Sequence, residues 1–459
     1  MFNVNDEQCS ERDGVARRTL LKAGFLTLGG LGLPELLKLR SLAAETGAVT
    51  RNTSVIFVEL PGGPSQFETY DPKPDAPAEC RGPLGVVKTN VPGVLFGELM
   101  AEQAKIMDKL TIVRSIHHDS SSHTTSKHLI QTGYYLGDSQ ARENEMPSFG
   151  SITSKVRGAN TEAMPPYVCI PETRTYGNTG FGRPGYLGMA YYPFEIKADP
   201  NAARFRVNDL DLAPGLSPER LADRRALSLS LDAGRRILDT RGVSDAMDRF
   251  SQEAFDIVAG QSARLAFDID REDPRLRDQY GRTNFGQSLM LARRLVEAGV
   301  TVVTVRGLYW DRFPKASGKP DSWDHHEKLE KRFRLMAPGY DRGVAALVRD
   351  LYARGLERNV LVVVMGEFGR TPRMNRGAGR HHWGPLMSVL FAGGGVEGGQ
   401  VIGASNRKGE RPIEAPYRPE NVLATVYKHL GIDPVGTFPD FGGRPRYFLE
   451  RRKPIAEFL

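Results

Sequence analysis

The chain has 459 residues, of which 40% are hydrophobic and 25% are charged, a composition typical of a soluble globular protein with one large domain or two smaller ones. Its formal net charge is +7, and its acidic and basic residues are interleaved rather than grouped in blocks. No basic run carries aromatic residues between its charges, so the sequence does not indicate nucleic-acid binding.

The N-terminus has the pattern of an export signal. The pair Arg17-Arg18 precedes an apolar, glycine-rich run over residues 23–33, and Ser41-Leu42-Ala43 offers the small residues that a signal peptidase reads. This run is too short for a membrane-spanning helix, which needs about 20 residues. We therefore expect residues 1–43 to direct export by the twin-arginine route to the periplasm or cell surface. The alternative is a short amphipathic helix of a cytosolic protein.

Two further expectations depend on this signal. If it is not cleaved, the protein would remain anchored to the membrane by its N-terminus. If it is cleaved, Cys80 and Cys169 are the cysteines that remain, and they could form one disulfide in an oxidising compartment. The sequence leaves their pairing open. It contains no CxxC motif, so we do not expect a zinc site built from thiolates.

After a polar linker over residues 44–53, apolar runs and helical periodicity alternate along the chain. The runs predict buried strands at 54–58, 110–113, 300–305, 360–365 and 387–392. The periodicity predicts helices over 217–263, 284–298, 340–354 and 419–430. Residues 165–216, rich in Gly, Pro, Tyr and Asn, predict a loop-rich insertion. This alternation predicts one α/β domain over residues 54–459, with a mostly parallel sheet covered on both faces.

The nine histidines are distributed unevenly. Eight of them fall in three clusters, at 117–128, 325–326 and 381–382, and none lies between 129 and 324. Imidazole is the commonest protein ligand for zinc and related metals, and acidic residues accompany two of the clusters. We interpret the clusters as parts of one composite metal site. The alternative is that they are loop histidines with no shared role.

Candidate ligands follow the predicted strands at their carboxyl ends, where open α/β sheets bind ligands. They are Glu59, Asp324, His326 and Glu367, and the polar residues His117, His118, Asp119 and His123 lie at the same edge after the strand at 110–113. His382 precedes the strand at 387–392, so its loop must fold back over the same edge to join them. A mixture of carboxylates and imidazoles predicts a divalent metal, first zinc, with calcium and manganese as alternatives.

Local spacing adds three expectations. Asp324 and His326 are two residues apart, so in an extended segment they point the same way. Glu367 is either a metal ligand or the ion-pair partner of Arg370. Of His381 and His382, one is expected to bind the metal while the other hydrogen-bonds.

Eight segments carry a resemblance to a known family. They read GGPS at 62–65, TYDPKP at 69–74, YGRTNFG at 280–286, ARRLVEAGV at 292–300, WDHH at 323–326, GEFGRTP at 366–372, RHHW at 380–383 and LATVY at 423–427. In these segments the chain resembles the family called domain of unknown function 1501, which is similar to the alkaline phosphatase and sulfatase superfamily. The resemblance implies a three-layer α/β sandwich with a mostly parallel central sheet. It also implies one or two metals that assist cleavage of phosphate or sulfate esters.

The resemblance carries over only in part to individual residues. The superfamily nucleophile begins a helix that ends in Thr-Gly, and here that position holds His123, with the hydroxyl of Thr124 beside it. The late Asp-His pair of the superfamily corresponds to Glu367-Phe368, which lacks one nitrogen ligand. The implied catalytic residues are His123, Thr124 and Arg370, the last binding an anionic oxygen. The implied metal ligands are Glu59, Asp324, His326, Glu367 and His382.

Two functions are consistent with these features. The first is an exported metal-dependent hydrolase of phosphate or sulfate esters, in which His326→Ala would remove both metal and activity. The second is a non-catalytic protein on the same fold that binds sulfated or phosphorylated glycans. In both cases the partner is an anionic ester or glycan.

Overall fold

The computed structural model describes residues 52–138, 141, 143–171, 181–207, 220, 223, 261–308 and 322–458. The predicted export signal, most of the linker and most of the helical segment expected over 217–263 lie outside these residues. Within the described ranges, no helix has both the length and the apolar character that crossing a membrane requires.

Strands and helices alternate, as expected. The strands are β1 (Ser54–Leu60), β2 (Val86–Lys88), β3 (Leu95–Gly97), β4 (Leu110–Ile116), β5 (Tyr167–Ile170), β6 (Phe194–Glu195), β7 (Val302–Arg306), β8 (Val360–Gly366), β9 (Gly369–Arg370), β10 (His382–Trp383), β11 (Met387–Gly393), β12 (Gln400–Ile402), β13 (Ala404–Ser405), β14 (Pro412–Glu414), β15 (Thr437–Pro439) and β16 (Pro445–Tyr447). The helices are α1 (Ala78–Arg81), α2 (Ala101–Ala104), α3 (His123–Thr132), α4 (Phe149–Val156), α5 (Gln261–Phe267), α6 (Pro274–Tyr280), α7 (Asn284–Glu297), α8 (Leu329–Ala353) and α9 (Pro419–His429).

An eight-stranded sheet forms the centre of the described region, in the order β12-β4-β11-β8-β1-β7-β5-β6. Strand β1 pairs in parallel with β7 and β8, whereas β11 runs antiparallel to β4 and β8. The expected mostly parallel sheet is therefore confirmed. Because β11 runs the other way, it begins at the edge where β1 and β8 end. This direction brings the segment before β11, including His382, to the edge where the other candidate ligands lie.

Helices cover both faces of this sheet. Alternate residues of β1 point to opposite sides, and all seven are buried. Ile56 and Val58 pack into a core with α7 and α8, while Val55 and Phe57 pack into a second core with α3, α4 and α9. A strand buried on both faces is apolar throughout, which explains the unbroken apolar run that identified it. The expected α/β class and its three layers are confirmed.

Two elements differ from expectation. Residues 165–216 include β5, which pairs in parallel with β7 in the central sheet. Four residues between Pro166 and Pro171 give too short a run for periodicity to identify. Helix α8 begins at Leu329 and contains Pro338. Proline usually interrupts a helix because it lacks an N–H group, so the pattern suggested a start only after it.

The two cysteines of the described region do not pair. Cys80 and Cys169 are both buried and free. Burial raises the pKa of Cys169 to about 12, so its thiol stays protonated at neutral pH. The disulfide that the sequence allowed is absent from these residues, and the core rather than a cross-link holds the segments together.

Candidate metal centre

Three imidazoles converge on the carboxylate of Asp324, in the segment between β7 and α8. His123 Nε2 lies 3.2 Å from Asp324 Oδ2. His382 Nε2 and His326 Nε2 each lie 3.0 Å from Asp324 Oδ1. Each of the three histidine clusters thus supplies a side chain to one place, at the edge where the parallel strands end. All four side chains remain partly exposed.

Two of these imidazoles are oriented by hydrogen bonds at Nδ1, the ring nitrogen that does not face Asp324. His123 Nδ1 lies 2.8 Å from Glu367 Oε1, and His382 Nδ1 lies 2.8 Å from the carbonyl oxygen of Ser121. Since a carboxylate and a carbonyl only accept, Nδ1 of each ring carries the hydrogen. In the neutral ring, Nε2 then presents a lone pair toward Asp324. Histidines that bind metals commonly donate their other N–H to a carboxylate or carbonyl in this way.

The donor atoms of His123, Asp324 and His382 lie within 4.8 Å of one another, a spacing that could hold a metal ion. Zinc bonds of about 2.0–2.1 Å place tetrahedral ligands roughly 3.3 Å apart. The contacts of 3.0 and 3.2 Å at Asp324 are close to this spacing. Positive charge between these atoms, from a metal ion or a proton, would offset the repulsion between the Nε2 lone pairs and the carboxylate. The residues present therefore fit a divalent ion.

The pKa shifts of the site residues also indicate that positive charge stabilises this arrangement. Burial lowers the pKa of His123, but its hydrogen bonds with Asp324 and Glu367 outweigh this and raise the pKa to about 9. Burial raises the pKa of Asp324, yet hydrogen bonds from His123 and His382 and the charge of Arg370 bring it below its ordinary value. In the absence of a metal, a proton on His123 supplies the missing charge.

His326 is oriented by a separate chain of hydrogen bonds. Asn375 Oδ1 accepts from two backbone N–H groups, which fixes its amide, and its Nδ2 lies 3.3 Å from His381 Nε2. His381 Nδ1 lies 3.0 Å from His326 Nδ1. With neutral rings, His381 accepts from Asn375 and donates to His326, which leaves the hydrogen of His326 on Nε2. The Nε2–H of His326 is then a donor to Nε2 of His382, 2.9 Å away, and it also lies 3.0 Å from Asp324 Oδ1.

Arg370 takes a different place from the one expected. Its guanidinium is fully buried and lies 2.7 Å from Asp324 Oδ1. It also donates to the backbone carbonyls of Gly62, Gly63, Trp323 and Arg380. In the structure Arg370 joins three loops and fixes Asp324, and its contact with a substrate oxygen stays a prediction.

Glu367 pairs with His123 rather than with Arg370. Both of its oxygens accept from the backbone N–H of Gly62, at 2.9 and 3.0 Å. Gly62 has a φ of +103°, and a Cβ there would lie 2.4 Å from the backbone nitrogen of Asp324, so only glycine fits. Burial raises the pKa of Glu367, but the bond to His123 and the charge of Lys127 lower it overall. Glu367 therefore orients the ring of His123 through its hydrogen bond to Nδ1.

Glu59 lies in a neighbouring buried group. It accepts from Gln131 Nε2 at 3.0 Å and faces Arg306 Nε at 3.5 Å. Gln131, Lys127 and His123 are spaced four residues apart on α3, so one helix face reaches both Glu59 and Glu367. Glu59 is not one of the three side chains around Asp324. Sequence reasoning missed Lys127 and Gln131, which their helical spacing from His123 could have indicated.

The start of α3 agrees with the expected helix. It begins at His123 and ends before Gly133, which has the left-handed conformation that terminates helices. Thr124 is half-buried beside His123 and takes no part in the hydrogen bonds that join the described residues of the site. The remaining histidines support the fold: His118, for example, donates to the carbonyl of Glu367 at 2.7 Å.

His325 should make stability depend on pH. It packs between Trp323 and Phe333, and burial lowers its pKa to about 3. The unfolded chain binds this proton below about pH 6.5. The stabilising contribution is thus complete above that pH and declines as the pH falls toward 3. Between pH 4 and 6 the native protein should lose about 1.4 kcal/mol per pH unit through this group.

The variant His325→Leu tests this contribution by urea unfolding at several pH values, with chelator present throughout. Between pH 4 and 6, the slope of unfolding free energy against pH should be shallower in the variant by about 1.4 kcal/mol per pH unit. An unchanged slope in His325→Leu would contradict the assignment.

Comparison with known proteins identifies the family. The sequence of residues 52–459 matches a protein family of unknown function, DUF1501. The chain belongs to this family. None of the curated proteins compared with it matches. The family resemblance that the eight sequence segments indicated is therefore confirmed, and the match covers residues 52–459.

Solved structures similar to this DUF1501 protein include three enzymes. The PsFucS1 sulfatase from Pseudoalteromonas sp. is 13% identical, with 86% of this chain and 70% of that chain covered and a TM-score of 0.38. The lipoteichoic acid synthase LtaP from Listeria monocytogenes is 11% identical, with coverage of 87% and 75% and a TM-score of 0.36. The phosphonate monoester hydrolase SpPMH from Silicibacter pomeroyi is 11% identical, with coverage of 83% and 74% and a TM-score of 0.33.

Proposed function

We propose that this DUF1501 protein is an exported metal-dependent hydrolase of phosphate or sulfate esters. The observation that supports it most is the orientation of His123 and His382. Each ring has its Nδ1 held by an acceptor oxygen and its Nε2 turned toward one carboxylate. Two nitrogens and one carboxylate favour zinc, because calcium and magnesium prefer sites made of oxygen.

Three protein ligands are the number that catalytic zinc sites use, with one position left for water or substrate. When bound, such an ion polarises an ester oxygen and lowers the pKa of water. The surrounding residues have supporting roles in this proposal. Glu367 orients His123 and Arg370 orients Asp324, while Nε2 of His326 contacts Nε2 of His382 at the exposed side of the site.

His123 is assigned to the metal in this proposal, although the resemblance places it where the superfamily has its nucleophile. Its two ring nitrogens already face Glu367 and Asp324, so neither is free to attack an ester. Hydrolysis would then use water directly. Export by the twin-arginine route to the periplasm or cell surface belongs to the same proposal, because that route carries proteins already folded and loaded.

The test begins with the metal content of protein recovered after export, measured by elemental mass spectrometry. We expect about one equivalent of a divalent transition metal per chain. A panel of aryl phosphate and sulfate esters is then assayed with and without chelator, and after zinc is restored. Turnover that chelation abolishes and zinc restores supports the hydrolase. Activity that survives complete metal removal contradicts it, and bound metal without turnover favours the glycan-binding alternative.

A further inference from the structure

A groove of about 680 Å³ lies beside the β9–β10 hairpin. We call it the basic groove and define it by Pro372, Arg373, Trp383, Pro385, Lys408 and Arg411. The groove does not contain any of the three proposed metal ligands. Nothing in the hydrolase proposal gives it a role.

Cationic side chains dominate this surface. Arg373, Lys408 and Arg411 are exposed, and Arg376 and Arg407 on the same two loops are exposed as well. None of the five makes an ion pair with a carboxylate of the described residues. The buried arginines of the same region differ, since Arg370 pairs with Asp324 and Arg380 with Glu68. Unpaired, exposed guanidinium groups are suited to binding sulfate or phosphate oxygens.

Two acidic residues also line the groove, but they leave the surface positive. Glu79 is exposed, and Glu410 accepts a hydrogen bond from Asn406 Nδ2 at 2.8 Å. Three exposed cations therefore line the groove beside two carboxylates, and two more, Arg376 and Arg407, lie on the same loops. The balance favours an anionic ligand over a neutral or cationic one.

The groove also has a rigid apolar part. Trp383 is half-buried, and its indole Nε1 donates to the carbonyl of Glu410 at 2.8 Å, which fixes the ring. Pro372 and Pro385 contribute further apolar surface. A fixed indole with prolines beside it offers a face on which a sugar ring can stack, while the cations around it bind charged substituents.

The basic groove and the metal centre are both built on the β9–β10 hairpin. Thr371, which lines the groove, donates its N–H to the carbonyl of His381 at 2.9 Å and accepts from the N–H of His381 at 3.0 Å. His381 in turn contacts His326. A polymer bound in the groove would therefore be held on the same hairpin that carries His382.

We propose that the basic groove binds a polyanionic glycan, a polymer that carries sulfate or phosphate groups on successive sugar rings. This inference deepens the proposed function, since the same polymer would present its ester to the metal centre. Binding in the groove uses only the cations and Trp383, so it does not require the metal. The two proposals can consequently fail separately.

The experiment measures the affinity of the full chain for dextran sulfate by titration calorimetry, in chelator and at two salt concentrations. One variant combines Arg373→Gln, Lys408→Gln and Arg411→Gln. The control combines Lys88→Gln, Arg358→Gln and Lys428→Gln, which removes the same charge from exposed positions outside the groove. We expect salt-sensitive binding by the wild type, at least about tenfold weaker binding by the groove variant, and a change within about twofold in the control.

Two further ligands test the sugar rings. Neutral dextran should not bind measurably, and inorganic polyphosphate should bind about tenfold more weakly than dextran sulfate because it has no ring to stack on Trp383. The inference is overturned if the wild type does not bind dextran sulfate, if both triple variants weaken equally, or if polyphosphate binds as tightly. Glycan binding that depends on the groove, together with failure of every ester assay, would contradict the hydrolase proposal alone.

Discussion

Replacing His382 with alanine should lower the affinity for zinc by more than about 100-fold and abolish metal-dependent hydrolysis. Loss of a residue that merely orients a ligand costs about 10–100-fold in metal affinity, and loss of a ligand should cost more. His382 contacts Asp324 with Nε2 and is held by Ser121 through Nδ1, so its removal leaves two donors of the group of three. Competition with a chromophoric chelator measures this affinity directly.

The control for this prediction is His117→Ala. His117 lies at the end of β4, close in sequence to His123, but its ring is not part of the group around Asp324. The zinc affinity of His117→Ala should stay within about threefold of the wild-type value. This change is smaller than the one expected when a residue that orients a ligand is lost. Circular dichroism checks that both variants fold. If folded His382→Ala binds zinc as tightly as the wild type, the proposed metal centre is wrong.

Replacing Arg370 with methionine should lower the free energy of unfolding by about 3–5 kcal/mol, the cost of leaving one partner of a buried ion pair without the other. The guanidinium pairs with Asp324 and donates to carbonyls of three loops, so its loss also leaves buried acceptors unsatisfied. Arg370→Lys should destabilise as well, because an ammonium group cannot reproduce the planar set of donors. Urea unfolding in chelator measures both changes without a contribution from metal.

Arg373→Met is the matched control, because Arg373 lies three residues further on and is exposed. Surface substitutions of this kind change stability by about 0.5 kcal/mol or less. A loss below about 1 kcal/mol in Arg370→Met would show that the buried pair does not hold the loops together. Such a result would return Arg370 to the role expected from the sequence, a donor to a substrate oxygen.

Much of the fold was predictable because its signals are local. The apolar runs that predicted β1, β8 and β11 are strands buried in the central sheet, and the periodic segment at 284–298 is α7. A strand buried on both faces is apolar along most of its length, so its own sequence indicates its position. Strand β5 carried no such signal, because four residues can be paired by their neighbours without any pattern of their own.

The candidate site, like the fold, was predictable only in part. The sequence by itself determined the chemistry: which residue types were available, and that His123, Asp324 and His382 would lie near one edge of an α/β sheet. The tertiary structure decided the partners. It joined Arg370 to Asp324 rather than to Glu367, set Glu59 apart with Arg306, and turned Nε2 of two histidines inward. Residue types are fixed along the chain, whereas these pairings depend on side-chain directions and on the antiparallel course of β11, which exist only after distant segments have packed together.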